Sequence, residues 1–198
     1  MLDKVVLFCG KAGSGKTTLA NALYSCLVDK GYSCYQVSFA TLLKQKMSDL
    51  LQADFVNNAD LKNESIIFKN KLISCRSLLQ KLGDLVRSVD RDYFVKHVRL
   101  GLKHYKKGVV IIDDLRFHNE LTNLLSSAKR LYIVGIDSFN AGNDNSAELI
   151  HASENYDNLK GFIKRFIAKH DSVAWLELKS YETRAVANDE AVLLDFVL

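Results

Sequence analysis

The segment KVVLFCGKAGSGKTTLANAL (4–23) constrains the fold more than any other part of the chain. Its first six residues are mainly apolar, short enough for one buried strand, and the run stops at Gly10. A glycine-rich stretch then leads into Leu19, Leu23 and Leu27, four residues apart, with Ala20 and Ala22 beside them and Gly31 beyond. That spacing predicts a helix with a C-terminal stop. A buried strand turned by a short loop into a helix is the first half of a βαβ unit. The chain is therefore directed from its start towards a parallel sheet with helices on its faces.

The rest of the chain alternates in the same way. Strands are predicted at SCYQVSF (33–39), GVVIIDD (108–114), RLYIVGI (130–136) and VAWLEL (173–178). Helices are predicted over 41–52, 75–89, 91–107 (with Phe94, Val98, Leu102 and Tyr105 on one face) and 118–129, and around Phe162, Ile163, Phe166 and Ile167. The Asn-rich stretch 53–70 reads as mobile, and 137–150 reads as a loop. The expected architecture is an α/β three-layer sandwich with a mainly parallel sheet. One domain of 198 residues is expected, its core about 1–40 and 108–136, a helical region about 41–107 and a lid about 137–157.

Composition narrows the class. With 48% hydrophobic residues the chain can fill a core, and no apolar run approaches the ~20 residues of a membrane span. Cys9, Cys26, Cys34 and Cys75 are irregularly spaced, without a CxxC pair, and read as reduced, partly buried thiols of a cytoplasmic protein, or of host cytoplasm if the chain is viral. A net charge of +4, scattered along the chain, suits anionic small substrates; no nucleic acid and no membrane partner is expected. Proline is absent, so boundaries rest on Gly, Asn, Asp and Ser.

Gly10 to Thr17 matches GxxxxGK[ST] in full, between a predicted strand and a predicted helix. Glycines let successive backbone N–H groups turn towards phosphate oxygens, and the helix N-terminus adds its positive end. The expected ATP-binding set is Gly10, Ala12, Gly13, Ser14, Gly15, Lys16, Thr17 and Thr18. Lys16 would reach the β- and γ-phosphates and Thr17 would ligate Mg²⁺. Asp113 and Asp114 end an apolar strand at the same edge, where a carboxylate can hold Mg²⁺ through water. Neighbouring strand residues point to opposite sides, so one of the two is expected to do so. Caps for the next helix would be the other use of these acids. Arg116, Asn119 and Glu120 lie around the mouth.

A bound triphosphate has three common uses in such a chain. A GTPase needs a guanine-reading NKxD motif, and the nearest string, Asn70-Lys71-Leu72-Ile73, lacks the acid. A motor or transporter needs more chain or an LSGGQ signature, and neither is present. A small-molecule kinase needs only a core, an acceptor-binding insert and a lid.

Several segments then resemble the deoxynucleoside monophosphate kinases of phages and related viruses, a branch of the P-loop kinases. SFATLLK (38–44) is similar to that family's FA–pLK segment, with Leu42 at its usual proline. RSLLQKLGDLVRSVDRDYFV (76–95) is similar to its R–LLQ–GT–R helix, with Asp84 at its usual Thr. VVIIDDLRFHNE resembles VI–DVRF–NE, and HASENYDNL (151–159) resembles the H–SE stretch after the lid. The likeness covers most of 4–159.

This resemblance implies phosphoryl transfer from ATP with Mg²⁺ to a deoxynucleoside monophosphate. It also implies Lys16, Asp114 and Arg116 as catalytic residues, Thr17 and Asp114 as Mg²⁺ ligands, and a homodimer. Lys44 and Arg76 or Arg87 would grip the acceptor phosphate, Gln80 and Gly83 would shape the base pocket, and Glu154 would join the acceptor site. Residues 137–150 carry no Arg or Lys, where such lids are basic, so Arg116, Arg130, Lys129 or a cation from elsewhere would serve. Ser153 and Glu154 also fit a helix-start signal, His151 a structural role and Trp175 a core position. Dephospho-coenzyme A kinase, phosphomevalonate kinase and a catalytically silent nucleotide-binding protein are the other readings.

Overall fold

Strand β1 (Leu2–Gly10) lies at the centre of a five-stranded sheet because it is apolar on both faces: Val5, Val6, Leu7, Phe8 and Cys9 are all fully buried. The computed structural model describes residues 2–68, 70–137, 156–189 and 191–198. Along the chain, β1 is followed by α1 (Lys16–Asp29), β2 (Cys34–Val37), α2 (Thr41–Leu51), a 3-10 turn (Ala59–Asn63), β3 (Ser65–Phe68), β4 (Lys71–Ser74) and α3 (Cys75–Val89). Then come α4 (Tyr93–Leu102), β5 (Val109–Ile112), α5 (His118–Leu124), β6 (Ala128–Asp137), α6 (Tyr156–Ile167), β7 (Val173–Lys179), α7 (Thr183–Asn188) and α8 (Ala191–Val197).

By contact, the chain divides into two units. The first comprises Met1–Ser38 and Val98–Leu198. Its sheet has the order β2-β5-β1-β6-β7 and every neighbouring pair is parallel. β1 has the acid-ending strand β5 on one side and β6 on the other, with Leu7 beside Ile112 and Gly10 beside Ile136. Side chains alternate across the strands, so one face carries Val6, Phe8, Ile111, Val134 and Ile136 into a core completed by Leu19, Leu23 and Leu27 of α1 and Leu193, Leu194 and Val197 of α8. Val5, Leu7 and Ile133 bury the other face, where the right-handed crossovers through α5 and α6 run, with Leu121, Leu124, Leu159 and Ile163 buried. This is the α/β fold of P-loop nucleotide-binding proteins.

The second unit, Phe39–His97, has its own small core of Met47, Phe55 and Cys75, joined by Leu51, Leu61, Ile66, Leu78, Leu79 and Leu82. Ser74 caps α3 by accepting the Ser77 N–H at 3.4 Å.

Several elements differ from expectation. Within 53–70 the structure has a 3-10 turn and strand β3, which pairs antiparallel with β4 through Ile66–Ile73 and Ile67–Leu72. Four-residue strands beside an Asn-rich stretch are too short for a period of two to show. Helix α4 stops at Leu102, not 107, because the N–H groups of Lys103, His104 and Tyr105 turn back to carbonyls three residues earlier. Helix α5 stops at Leu124, where Ser127 N–H bonds the Leu124 carbonyl and β6 begins at Ala128. Helices α7 and α8, of six and seven residues, are too short to mark a periodicity. The loop expected at 137–150 lies outside the described residues apart from Asp137. Trp175 is half-buried on the edge strand β7, its ring over Gly135.

Candidate functional site: the phosphate loop and its neighbours

The loop between β1 and α1 is shaped by close approach. A Cβ on Gly10 would lie 2.6 Å from the Ile136 carbonyl oxygen and 2.8 Å from Ser14 Oγ, so only glycine fits against β6 there. Gly15 adopts φ +94° and would meet Thr183 Oγ1 at 2.8 Å. Thr183 is buried and fixed by donating its hydroxyl to the Ser180 carbonyl at 2.8 Å, so the turn after β7 backs the start of α1. Ser14 N–H closes the loop onto the Lys11 carbonyl at 3.3 Å, and Leu19 N–H on Gly15 O begins the helix.

Lys16 Nζ folds back over the loop, donating to the carbonyls of Gly10 at 2.9 Å and Lys11 at 2.6 Å. Burial pushes its pKa down to about 8, and the neighbouring Arg116 guanidinium pushes the same way against the pull of Asp113 and Asp114. Ser14 Oγ is buried and has no hydrogen-bond partner among the described residues. A cationic head over a loop of this shape, beside an orphaned hydroxyl, fits a phosphate chain. Ala12, Gly13, Thr17 and Thr18 are exposed along the same loop and first helical turn.

The two acids after β5 part company. Thr17 Oγ1 donates to Asp113 Oδ2 at 2.7 Å, while Asp114 Oδ2 accepts from Ser38 Oγ at 2.7 Å. The resemblance gives the metal-facing place to Asp114; here the carboxylate beside Thr17 belongs to Asp113. Adjacent residues leaving a strand point to opposite sides, and Asp113 is the one on the α1 side. A hydroxyl and a carboxylate so placed are the hard oxygen donors that Mg²⁺ takes.

Beyond the acids, Glu120 is buried and Oε2 accepts the backbone N–H groups of Arg116 at 2.8 Å and Phe117 at 3.0 Å. Leu115 N–H also returns to the Phe8 carbonyl at 3.1 Å. The turn carrying Arg116 is thus held at both ends, with Glu120 bracing its backbone.

The cation question has an answer in sheet register. Arg130 pairs with Lys4 at the amino-terminal edge, and Lys129 is bound to Asp3 at 2.8 Å there, about 20 Å of strand from Gly10. Neither serves the loop. At the carboxyl edge, Asp137 instead accepts from Lys160 at 2.9 Å and Lys179 at 3.1 Å, with Lys160 also paired to Glu177. Those hydrogen bonds, Lys160 first, hold the Asp137 carboxyl below its usual range. Lys11 reaches Asp157 at 3.6 Å. Sequence reading missed Lys160, Lys179, Ser38 and Thr183; register and turn contacts, which no local pattern encodes, bring them to this edge.

The remaining candidates belong to the second unit. Arg76, Gln80, Gly83 and Arg87 share one stripe of α3. Arg87 folds over Gly83, lies 5.0 Å from the Phe94 ring centroid and 3.7 Å from Asp84. Arg76 is exposed and donates to Asn63 at 3.4 Å, and Lys44 is half-buried on α2. Glu154, with His151 and Ser153, lies outside the described residues.

The AAA domain family profile matches residues 1–134, more than half of the chain. The chain belongs to the AAA domain family. Among solved structures, this AAA domain aligns with shikimate kinase from Aquifex aeolicus vf5 at 14% identity over 96% of each chain, TM-score 0.41. It aligns with shikimate kinase from Acinetobacter baumannii in complex with shikimate at 12% identity, over 98% of this chain and 94% of that one, TM-score 0.45. Kti12 from Chaetomium thermophilum in complex with ADP-AlF3 aligns at 16% identity over 98% and 99%, TM-score 0.43. No curated protein matches the chain.

Proposed function

We propose that this protein is an ATP- and Mg²⁺-dependent kinase that phosphorylates deoxynucleoside monophosphates to diphosphates. The observation that supports the phosphoryl-transfer part is the Thr17–Asp113 hydrogen bond near Lys16, which sets side by side a hydroxyl and a carboxylate suited to Mg²⁺ on a triphosphate. Thr17 and Asp113 would hold the ion, and bound Mg²⁺ would neutralise charge on the transferring phosphate. Lys16 exchanges its two loop carbonyls for phosphate oxygens. Arg116, on the turn braced by Glu120, adds the second positive charge. A phosphate acceptor is already anionic, so no general base is required of the chain.

The acceptor assignment is supported by the resemblance at 38–44, 76–95 and 151–159, which assigns the acceptor's base and phosphate to Gln80, Gly83 and Arg87 and gives Lys44, Arg76 and Glu154 acceptor roles too. Membership of the AAA domain family favours a second reading, ATP hydrolysis with no small acceptor. One assay separates the two: purified protein with ATP, Mg²⁺ and a panel of dNMPs, NMPs, dephospho-coenzyme A and phosphomevalonate, following ADP. ADP formation that requires a dNMP and vanishes in Lys16→Ala is the expected result. ADP formed equally without any acceptor establishes the hydrolase instead, and ATP binding without turnover establishes a silent module.

A further inference from the structure

We propose that the amino-terminal edge of the sheet, opposite the phosphate loop, binds single-stranded nucleic acid. Two connections meet there: the turn leaving α1 (30–33) and the turn leaving α4 (103–108). Val109 N–H bonds the Ser33 carbonyl at 2.9 Å, and Gly108, at φ +110°, lies so close that a Cβ would strike that carbonyl. Tyr105 of the second turn stacks on Tyr35 of β2, centroids 4.1 Å apart. The two turns therefore form one surface.

That surface carries Lys30, Lys103, Lys106 and Lys107, all exposed and none in an ion pair among the described residues. Asp3 faces Lys107 as well as Lys129, and so offsets part of this charge. It accepts from Lys129 at 2.8 Å and from Gly108 N–H at 3.3 Å, and Asp29 stands beside Lys30. Four lysines thus stand within two short turns, against Asp29 and the shared Asp3. Among the lysines stand Tyr32, 45% exposed, and the half-buried Tyr35–Tyr105 stack.

Cations alone would suit any polyanion. Cations interleaved with aromatic rings suit a strand whose phosphates meet the lysines while unpaired bases stack on the rings. A duplex hides those faces and a lipid headgroup has none. Lys4 registers with Val109, six residues from Gly10, so the surface stands about 20 Å from the phosphate loop and does not depend on what that loop does.

The test is fluorescence polarisation of a labelled twenty-nucleotide single strand with the full chain at 50 and 200 mM salt. With four phosphate contacts, binding should weaken about fifty-fold between the two. Lys103→Glu/Lys106→Glu/Lys107→Glu should abolish it. The milder Lys106→Gln/Lys107→Gln, checked by an unchanged melting curve, should lower the log–log salt slope by about 1.4. Tyr32→Ala should weaken binding about tenfold, the effect of one lost stack. The proposal is overturned if the strand is not bound at 50 mM salt, if these variants bind as the parent does, or if a duplex binds as tightly. Recruitment to phosphatidylserine vesicles without strand binding overturns it in favour of a membrane surface.

Discussion

The Thr17 hydroxyl donates to Asp113 at 2.7 Å, and the next residue, Asp114, accepts from Ser38 at the same distance. Two adjacent carboxylates therefore serve different neighbours, and mutation should separate them. Asp113→Asn should raise the Mg²⁺ concentration for half-maximal turnover about 10- to 100-fold, the range for a carboxylate holding an ion through its shell. Asp114→Asn, which keeps an acceptor for Ser38, should change it less than about threefold. A Mg²⁺ titration of each variant decides the assignment, and the reverse order of effects returns the metal to Asp114.

Glu120 supports a second prediction, about stability. Its buried carboxylate receives two backbone N–H groups of the Arg116 turn. Truncation in Glu120→Ala leaves those donors without their partner and should cost about 1–3 kcal/mol in urea unfolding. Glu120→Gln keeps an acceptor oxygen and should lose less than half as much. Equal losses in the two variants would show that the charge, not the acceptor, matters.

How much of this was legible in sequence follows from how local each feature is. Strand, loop and helix around Lys16 are written in consecutive residues, so they could be read directly. Which of Asp113 and Asp114 meets Thr17 depends on the residue at which β5 ends, and a shift of one reverses the answer. Sheet register put Lys129 and Arg130 at the wrong edge for phosphate and paired Lys179 with Asp137, forty-two residues away. The β3–β4 hairpin escaped because its strands are only four residues long and follow a polar stretch.

Gly135 gives a third test. A Cβ there would fall within the Trp175 ring, on the neighbouring strand. Gly135→Ala must push that ring aside, at a cost of about 1–3 kcal/mol by the usual price of overpacking. Trp175 is the sole tryptophan, so its emission should shift red in the folded variant. Unchanged emission would mean that the ring does not lie over Gly135.

Arg87 tests the acceptor assignment. Resting on Gly83 and the Phe94 ring, its guanidinium is held in place by contacts that Arg87→Lys cannot reproduce. Both Arg87→Ala and Arg87→Lys should raise the acceptor KM about tenfold or more while leaving the KM for ATP within twofold. Unchanged acceptor kinetics would remove Arg87 from the site.

Burial and Arg116 hold free Lys16 at a pKa of about 8, although Asp113 and Asp114 oppose the shift. A triphosphate on the loop adds several negative charges against the ammonium and raises its pKa towards or above the ordinary 10.5. More than about one unit below pH 8 the lysine is charged both free and bound, so binding moves almost no proton. Between about pH 8 and 10.5 the free form is largely neutral and the bound form charged, so binding must take up a proton, approaching one per site. Affinity for ATP should then fall as pH rises through that window, approaching tenfold per unit. Titration calorimetry at pH 9 in buffers of different ionisation enthalpy measures the uptake directly. Lys16→Met should remove the uptake, and a wild-type value of zero at pH 9 would show that Lys16 is already charged before the nucleotide arrives.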